Sequence, residues 1–133
     1  MAVILFQDRF AELVRSGEKR QTIRLPRKRP IQQGQALSLR RWTGAAYRSR
    51  QETLLDTYCL CVRPVHIIAT KLVVGSYGEL PLNHHDAHRL AVADGFQDVA
   101  DMIAWFRSTH GLPFHGILID WKYPGASKTA TNR

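Results

Sequence analysis

The chain has 133 residues, 44% hydrophobic and 23% charged, enough for one domain that buries a core without metal or disulfide staples. No apolar run reaches the roughly 18–20 residues that span a bilayer. The short apolar stretch at the start has no basic region before it, so a secretory signal is not expected and a cytoplasmic location is.

Formal net charge is +8, and it is unevenly spread: residues 1–50 hold 12 Lys or Arg against 3 Asp or Glu, whereas residues 51–133 hold 7 against 8. A block this basic attracts polyanions, nucleic acid being the commonest one inside cells. Charge alone fits a solvated basic surface equally well. The two cysteines, Cys59 and Cys61, are two apart in an extended run. Positions that close on one strand rarely have disulfide geometry, and two reduced thiols are expected.

Val3-Ile4-Leu5 opens the chain as a short strand. Phe6, Phe10, Leu13 and Val14 then recur at helical spacing up to Gly17, which predicts a helix over about 7–16. Gln21 to Arg24 reads as extended. Leu25-Pro26-Arg27-Lys28-Arg29-Pro30 is an extended basic loop, because each proline keeps its predecessor out of the helical region.

Gly34 marks a turn before a strand at 36–42, where Leu37 and Leu39 alternate with polar neighbours. Residues 43–46 read as a hairpin connection. A β-rich tract runs from Leu54 to Val74, with Pro64 marking an edge, a bulge or a break within it. Asn83 is placed to cap a helix that stops at Asp94-Gly95. A further helix runs from about Asp98 to Gly111, and Phe114 to Trp121 is a buried strand. The sum is an α+β domain, β-barrel-like, with about three helices packed around it. Residues 1–123 form the domain and 124–133 a small, polar, disordered tail.

The most specific segment runs from Ser16 to Arg24, with Lys19, Thr22 and Arg24 at or near the start of the second strand. Thr22 and Arg24, two apart, project from one face. An ammonium, a hydroxyl and a guanidinium converging there can hold a phosphate, a carboxylate or a base edge. The cations of Arg27, Lys28, Arg29, Arg41 and Arg48 surround this segment in sequence. Trp42 and Tyr47 lie among them, rings on which single-stranded bases stack. The competing reading is a polar strand face, an ordinary basic surface and a Trp42 that closes the core. His84 and His88 stand one helical turn apart, but without a third ligand by spacing a solvated helix face is favoured. No metal or cofactor is expected.

G-x-K-x-x-T-I-R at Gly17 to Arg24, the basic loop, GQALSL at 34–39 and Asp94-Gly95-Phe96 before the last helix and strand resemble the activating signal cointegrator homology (ASCH) family. The resemblance covers roughly residues 3–122. Arg41 to Gly44 with Tyr47 to Ser49 also resembles phage- and prophage-associated members. It implies a PUA-like β-barrel that binds single-stranded RNA or a modified nucleoside through a basic cleft. Some members hydrolyse the acetyl amide of N4-acetylcytidine, and a ribonuclease activity is known in the family.

Carried over by position, Lys19 and Thr22 match the hydrolase lysine and threonine, and the acidic partner falls on Asp94. The hydrolase type has Glu there, one methylene longer, and catalytic geometry tolerates such displacement poorly. Asp94-Gly95 is also an ordinary helix stop. Lys19 can act as a base only if burial and the cations Arg20 and Arg24 lower its pKa. Three functions follow: an RNA- or nucleoside-binding protein, an N4-acetylcytidine amidohydrolase, or a regulatory module whose basic face docks an acidic protein.

Overall fold

The computed structural model describes residues 1–75 and 79–124. The tail expected at 124–133 therefore lies, from residue 125 onward, outside the described residues. The elements follow in order as β1 (Ala2–Leu5), α1 (Asp8–Ser16), β2 (Gln21–Arg24), β3 (Ala36–Trp42), β4 (Gln51–Ile68), β5 (Lys71–Val74), α2 (His84–Ala93), α3 (Val99–Thr109) and β6 (Phe114–Trp121). This is the expected α+β class, with three helices beside a six-stranded mixed sheet.

Strand order is β1-β3-β4-β6-β2, with β5 added alongside β4. Among the described strands, β1 and β3 run parallel and the other pairs are antiparallel. β1 and β2 end the path, and no backbone ladder joins them among the described residues. The sheet thus has an open seam where a barrel would close.

β4 is long enough to serve three neighbours in turn. Its first half pairs with β3, and from Cys59 onward it pairs with β6 while β5 folds back on its far end. Pro64 does not break it. The pairing with β5 stops at Val65, and the Pro64 carbonyl accepts from Gly75 N–H at 2.8 Å. The proline nitrogen faces that same side, where the ladder has ended, so no rung to β6 is lost. Cys59 is buried, Cys61 half-buried, and both are unbridged.

Alternation along the strands supplies the core: Leu37 and Leu39 from β3, Val65 and Ile67 from β4, and Leu118, Ile119 and Trp121 from β6 are all buried. Phe10, Ala11 and Val14 of α1 and Met102, Ile103 and Phe106 of α3 cover them at helical spacing. Each fully buried side chain of this size contributes about 1.5–3 kcal/mol. The helix starts are set by short polar side chains: Asn83 accepts from Asp86 N–H and Asp98 from Asp101 N–H, each at 2.8 Å. Both satisfy donors that the first helical turn leaves unpaired.

Helix α1 ends at Gly17, with φ of 89°. That left-handed conformation favours glycine, and an added Cβ would come within 2.7 Å of the Tyr123 ring. The chain therefore turns sharply here and delivers Lys19 inward.

Candidate functional site

Two helix C-termini meet at Lys19. Its backbone N–H donates to the Leu13 carbonyl at 2.9 Å, and Arg20 N–H donates to the Ala93 carbonyl at the end of α2 at 3.1 Å. Helix α2 closes in a Schellman motif, with Gly95 N–H on the Val92 carbonyl and Phe96 N–H on the Ala91 carbonyl. Asp94 is the C-cap of that motif, so the helix-stop reading holds. Its side chain nevertheless turns inward to Lys19.

Lys19 and Asp94 are each 2% exposed. The Lys19 ammonium donates to the Asp94 backbone carbonyl and lies 3.3 Å from Asp94 Oδ1, off hydrogen-bond direction. It also sits 4.7 Å from the centre of the Phe10 ring, a face that attracts cations. Burial lowers the Lys19 pKa to about 8, with Arg24 and Arg9 adding to the effect and Asp94 opposing it. Burial pushes the Asp94 carboxyl upward, while Lys19, the Gln21 amide and Arg24 pull it back.

Gly95 is what permits this closeness. Its φ is +98°, and a Cβ there would stand 3.1 Å from both Lys19 Cδ and Phe10 Cδ1.

Strand β2 adds the hydroxyl and the guanidinium. Thr22 is 3% exposed, and its Oγ1 accepts from Arg24 Nε at 3.0 Å. That bond uses an acceptor lone pair and leaves the threonine proton available to donate. Arg24 Nη2 then reaches across the seam to the Leu5 carbonyl at 2.7 Å, with its guanidinium 4.8 Å from the Phe6 ring centre. Burial lowers its pKa to about 10. Arg27 Nη1 bonds the Val3 carbonyl at 3.3 Å. Val3 and Leu5 are two apart, so their carbonyls share one edge of β1. Two arginine side chains stand there in place of a neighbouring strand.

A cavity of about 540 Å³ occupies this seam, within the usual range for small-molecule sites. Lys19, Thr22, Arg24, Arg27, Tyr47 and Asp94 all line it. Lys28, Arg29, Arg41, Trp42 and Arg48 do not. Arg41 is engaged elsewhere, with Glu52 at 2.8 Å and Asp8 at 3.1 Å. Lys28, Arg29 and Arg48 are exposed. Trp42 is half-buried and its ring lies 5.2 Å from that of Tyr47. It backs the mouth residue without facing the cavity. His84 and His88 are exposed on α2.

The sequence reading missed the aromatic wall. Phe6, Phe10, Trp105, Phe106 and His110 line the cavity, and Phe10 meets the Trp105 ring edge-on at 5.8 Å. At helical spacing these residues look like core, and most of them are core on one side. Only the two helix ends and the β1–β2 seam, brought together by the fold, turn part of that aromatic surface toward a cavity. No sequence signal separates the two roles. Gln21, also missed, is buried beside the Asp94 carboxylate. Its place two residues beyond Lys19 was the available hint.

Chemically, the site is an aromatic-walled pocket whose deep end presents an ammonium, a carboxylate and a hydroxyl. No helix of the described residues is long and apolar enough to cross a membrane. The fold and this site define an α+β domain with a cavity of small-molecule size at its open seam. Compared with protein-family models, curated proteins and solved structures, the chain matches none.

Proposed function

We propose that this protein binds a nucleoside or an unpaired RNA base in the β1–β2 seam, as an ASCH-type domain whose seam is the opening of a PUA-like barrel. The observation that carries this reading is the convergence of Lys19 and Thr22 with Asp94, more than seventy residues further on, at the deep end of one aromatic-walled cavity. An unpaired base needs flat apolar walls and a few oriented hydrogen-bonding groups at its edge. Asp94 accepts from an exocyclic amine, while Lys19 and the Thr22 hydroxyl donate to ring or carbonyl acceptors. Arg27 is exposed and lines the cavity, and the exposed Lys28 and Arg29 follow it in the chain, cations for a strand's phosphates.

Calorimetric titration with cytidine, N4-acetylcytidine and a short single-stranded RNA tests the reading. Saturable binding lost in Thr22→Val supports it, and RNA affinity should fall steeply with salt. Binding that is undetectable, or unaffected by Thr22→Val, removes it and favours the protein-docking module.

One observation favours a catalytic reading as well. With a pKa of about 8, about one Lys19 in ten is neutral at pH 7, enough to act as a base. In amide hydrolysis of N4-acetylcytidine, the Thr22 proton passes to neutral Lys19 as Oγ1 attacks the acetyl carbonyl. The carbon–N4 bond breaks as N4 takes that proton back from the Lys19 ammonium, and water then cleaves the acyl-threonine ester, releasing acetate and restoring the Thr22 hydroxyl. Asp94 holds the departing amine, a contribution of about 10²–10⁴-fold. Acetate release abolished in both Lys19→Ala and Thr22→Ala would establish the hydrolase. Absence of turnover at high protein concentration would leave the binding protein.

A further inference from the structure

The cations around the cavity are not equivalent, and their differences give a bound ligand a direction. Lys19, at the deep end, is already compensated by the Asp94 carboxylate 3.3 Å away. Arg24 is half-buried and gives two of its five donors to Thr22 and the Leu5 carbonyl. An anion pushed to this depth would meet the Asp94 carboxylate, and burying two like charges together is costly. The deep end is therefore suited to neutral hydrogen-bonding groups.

Arg27 differs in each respect. It lines the same cavity, is exposed, and forms no ion pair among the described residues. Its one hydrogen bond among the described residues is a long one, 3.3 Å, to the Val3 carbonyl on the open edge of β1. A guanidinium held this loosely exchanges a neutral acceptor for an anionic one with gain, since a phosphate adds the attraction of an opposite charge and can take two parallel N–H bonds. Tyr47 stands at the same mouth, 87% exposed and in the left-handed region with φ of 63°.

We infer that the ligand is a nucleotide rather than a bare nucleoside. Its base points toward Lys19, Thr22 and Asp94, and a phosphate monoester or diester is seated on Arg27 at the cavity mouth. This rests on the base-binding reading given above. Free nucleotide and RNA strand supply the same phosphate chemistry, and the test separates them.

Calorimetric titrations with cytidine, cytidine 5′-monophosphate, inorganic phosphate and a trinucleotide carrying an internal cytidine should be run on the wild type, Arg27→Ala and Arg27→Lys. Circular dichroism confirms folding, which one exposed 3.3 Å bond does not control. The monophosphate is expected to bind about tenfold tighter than cytidine. That advantage should vanish in Arg27→Ala and largely return in Arg27→Lys, with phosphate alone binding negligibly. A trinucleotide tighter than the monophosphate identifies the strand as the source; equal affinity identifies the free nucleotide. Cytidine binding as tightly as the monophosphate, or an advantage that survives Arg27→Ala, overturns the inference and leaves base binding intact. If neither compound binds, the base-binding reading itself fails and takes this inference with it.

Discussion

Lys19 and Asp94 form a buried ion pair, 3.3 Å apart, with side chains only 3% exposed. Such a pair does little for net stability, but removing one partner leaves a buried charge alone. Lys19→Met should cost about 3–5 kcal/mol by urea denaturation. The double variant Lys19→Met with Asp94→Leu should recover much of that loss. Equal losses in single and double variants would show that the two charges do not compensate one another.

The same pair makes stability depend on pH. The native Lys19 pKa, about 8, is below its ordinary 10.5. Between those values the unfolded chain binds more protons, so Lys19's contribution to stability rises with pH from about 8 to 10.5. Asp94 works in the opposite sense: its native pKa is raised above 3.8, so its contribution falls as pH climbs past that value. The difference in urea midpoint between wild type and Lys19→Met should therefore grow from pH 8 to pH 10.5. A shrinking difference would mean that Asp94, not burial, dominates the lysine.

Gly95 ties the α2 stop to the site. Gly95→Ala forces a left-handed backbone on a residue with a Cβ and crowds Lys19 and Phe10 at 3.1 Å. The expected loss is about 1–3 kcal/mol, together with weakened ligand binding because Lys19 must shift. Unchanged stability would show that the Schellman turn relaxes freely.

Tyr47 poses the reverse case. It is exposed and held at φ of 63°, a cost that glycine does not carry. Tyr47→Gly should leave the melting temperature equal or slightly higher while weakening cytidine or RNA binding. A lower melting temperature with unchanged affinity would assign Tyr47 to the fold alone.

Arg41 and Arg29 look alike in sequence and differ in the structure. Arg41 is neutralised by Glu52 and Asp8, whereas Arg29 is exposed. Arg41→Gln should change RNA affinity less than about twofold. Arg29→Gln, if it meets a phosphate, should flatten the salt dependence by about 0.7 in log–log slope. Equal effects at the two positions would return the basic block to a diffuse surface charge.

What could be read in advance follows from the range of the forces involved. Helix ends are local: Asn83, Asp98, Gly17 and Gly95 announce them within a few residues, and all four stand where expected. The shared face of Thr22 and Arg24 is equally local and appears as their 3.0 Å bond. Pro64 was legible only as an exception, because whether it breaks a strand depends on where its neighbour β5 stops. The open β1–β2 seam and the aromatic wall are long-range products of sheet order, which no window of sequence contains. The ion pairs that withdraw Arg41 from the basic face are of the same kind. They depend on Asp8 and Glu52 arriving from α1 and β4.

The most direct test of the site is an amide-resolved NMR titration of the isotopically labelled protein with cytidine. Shifts that saturate and cluster on Val3 to Phe6, Lys19 to Arg24 and Asp94-Gly95 are the expected result. Shifts confined to residues outside the seam, or none at millimolar cytidine, would contradict the assignment of this cavity to a base.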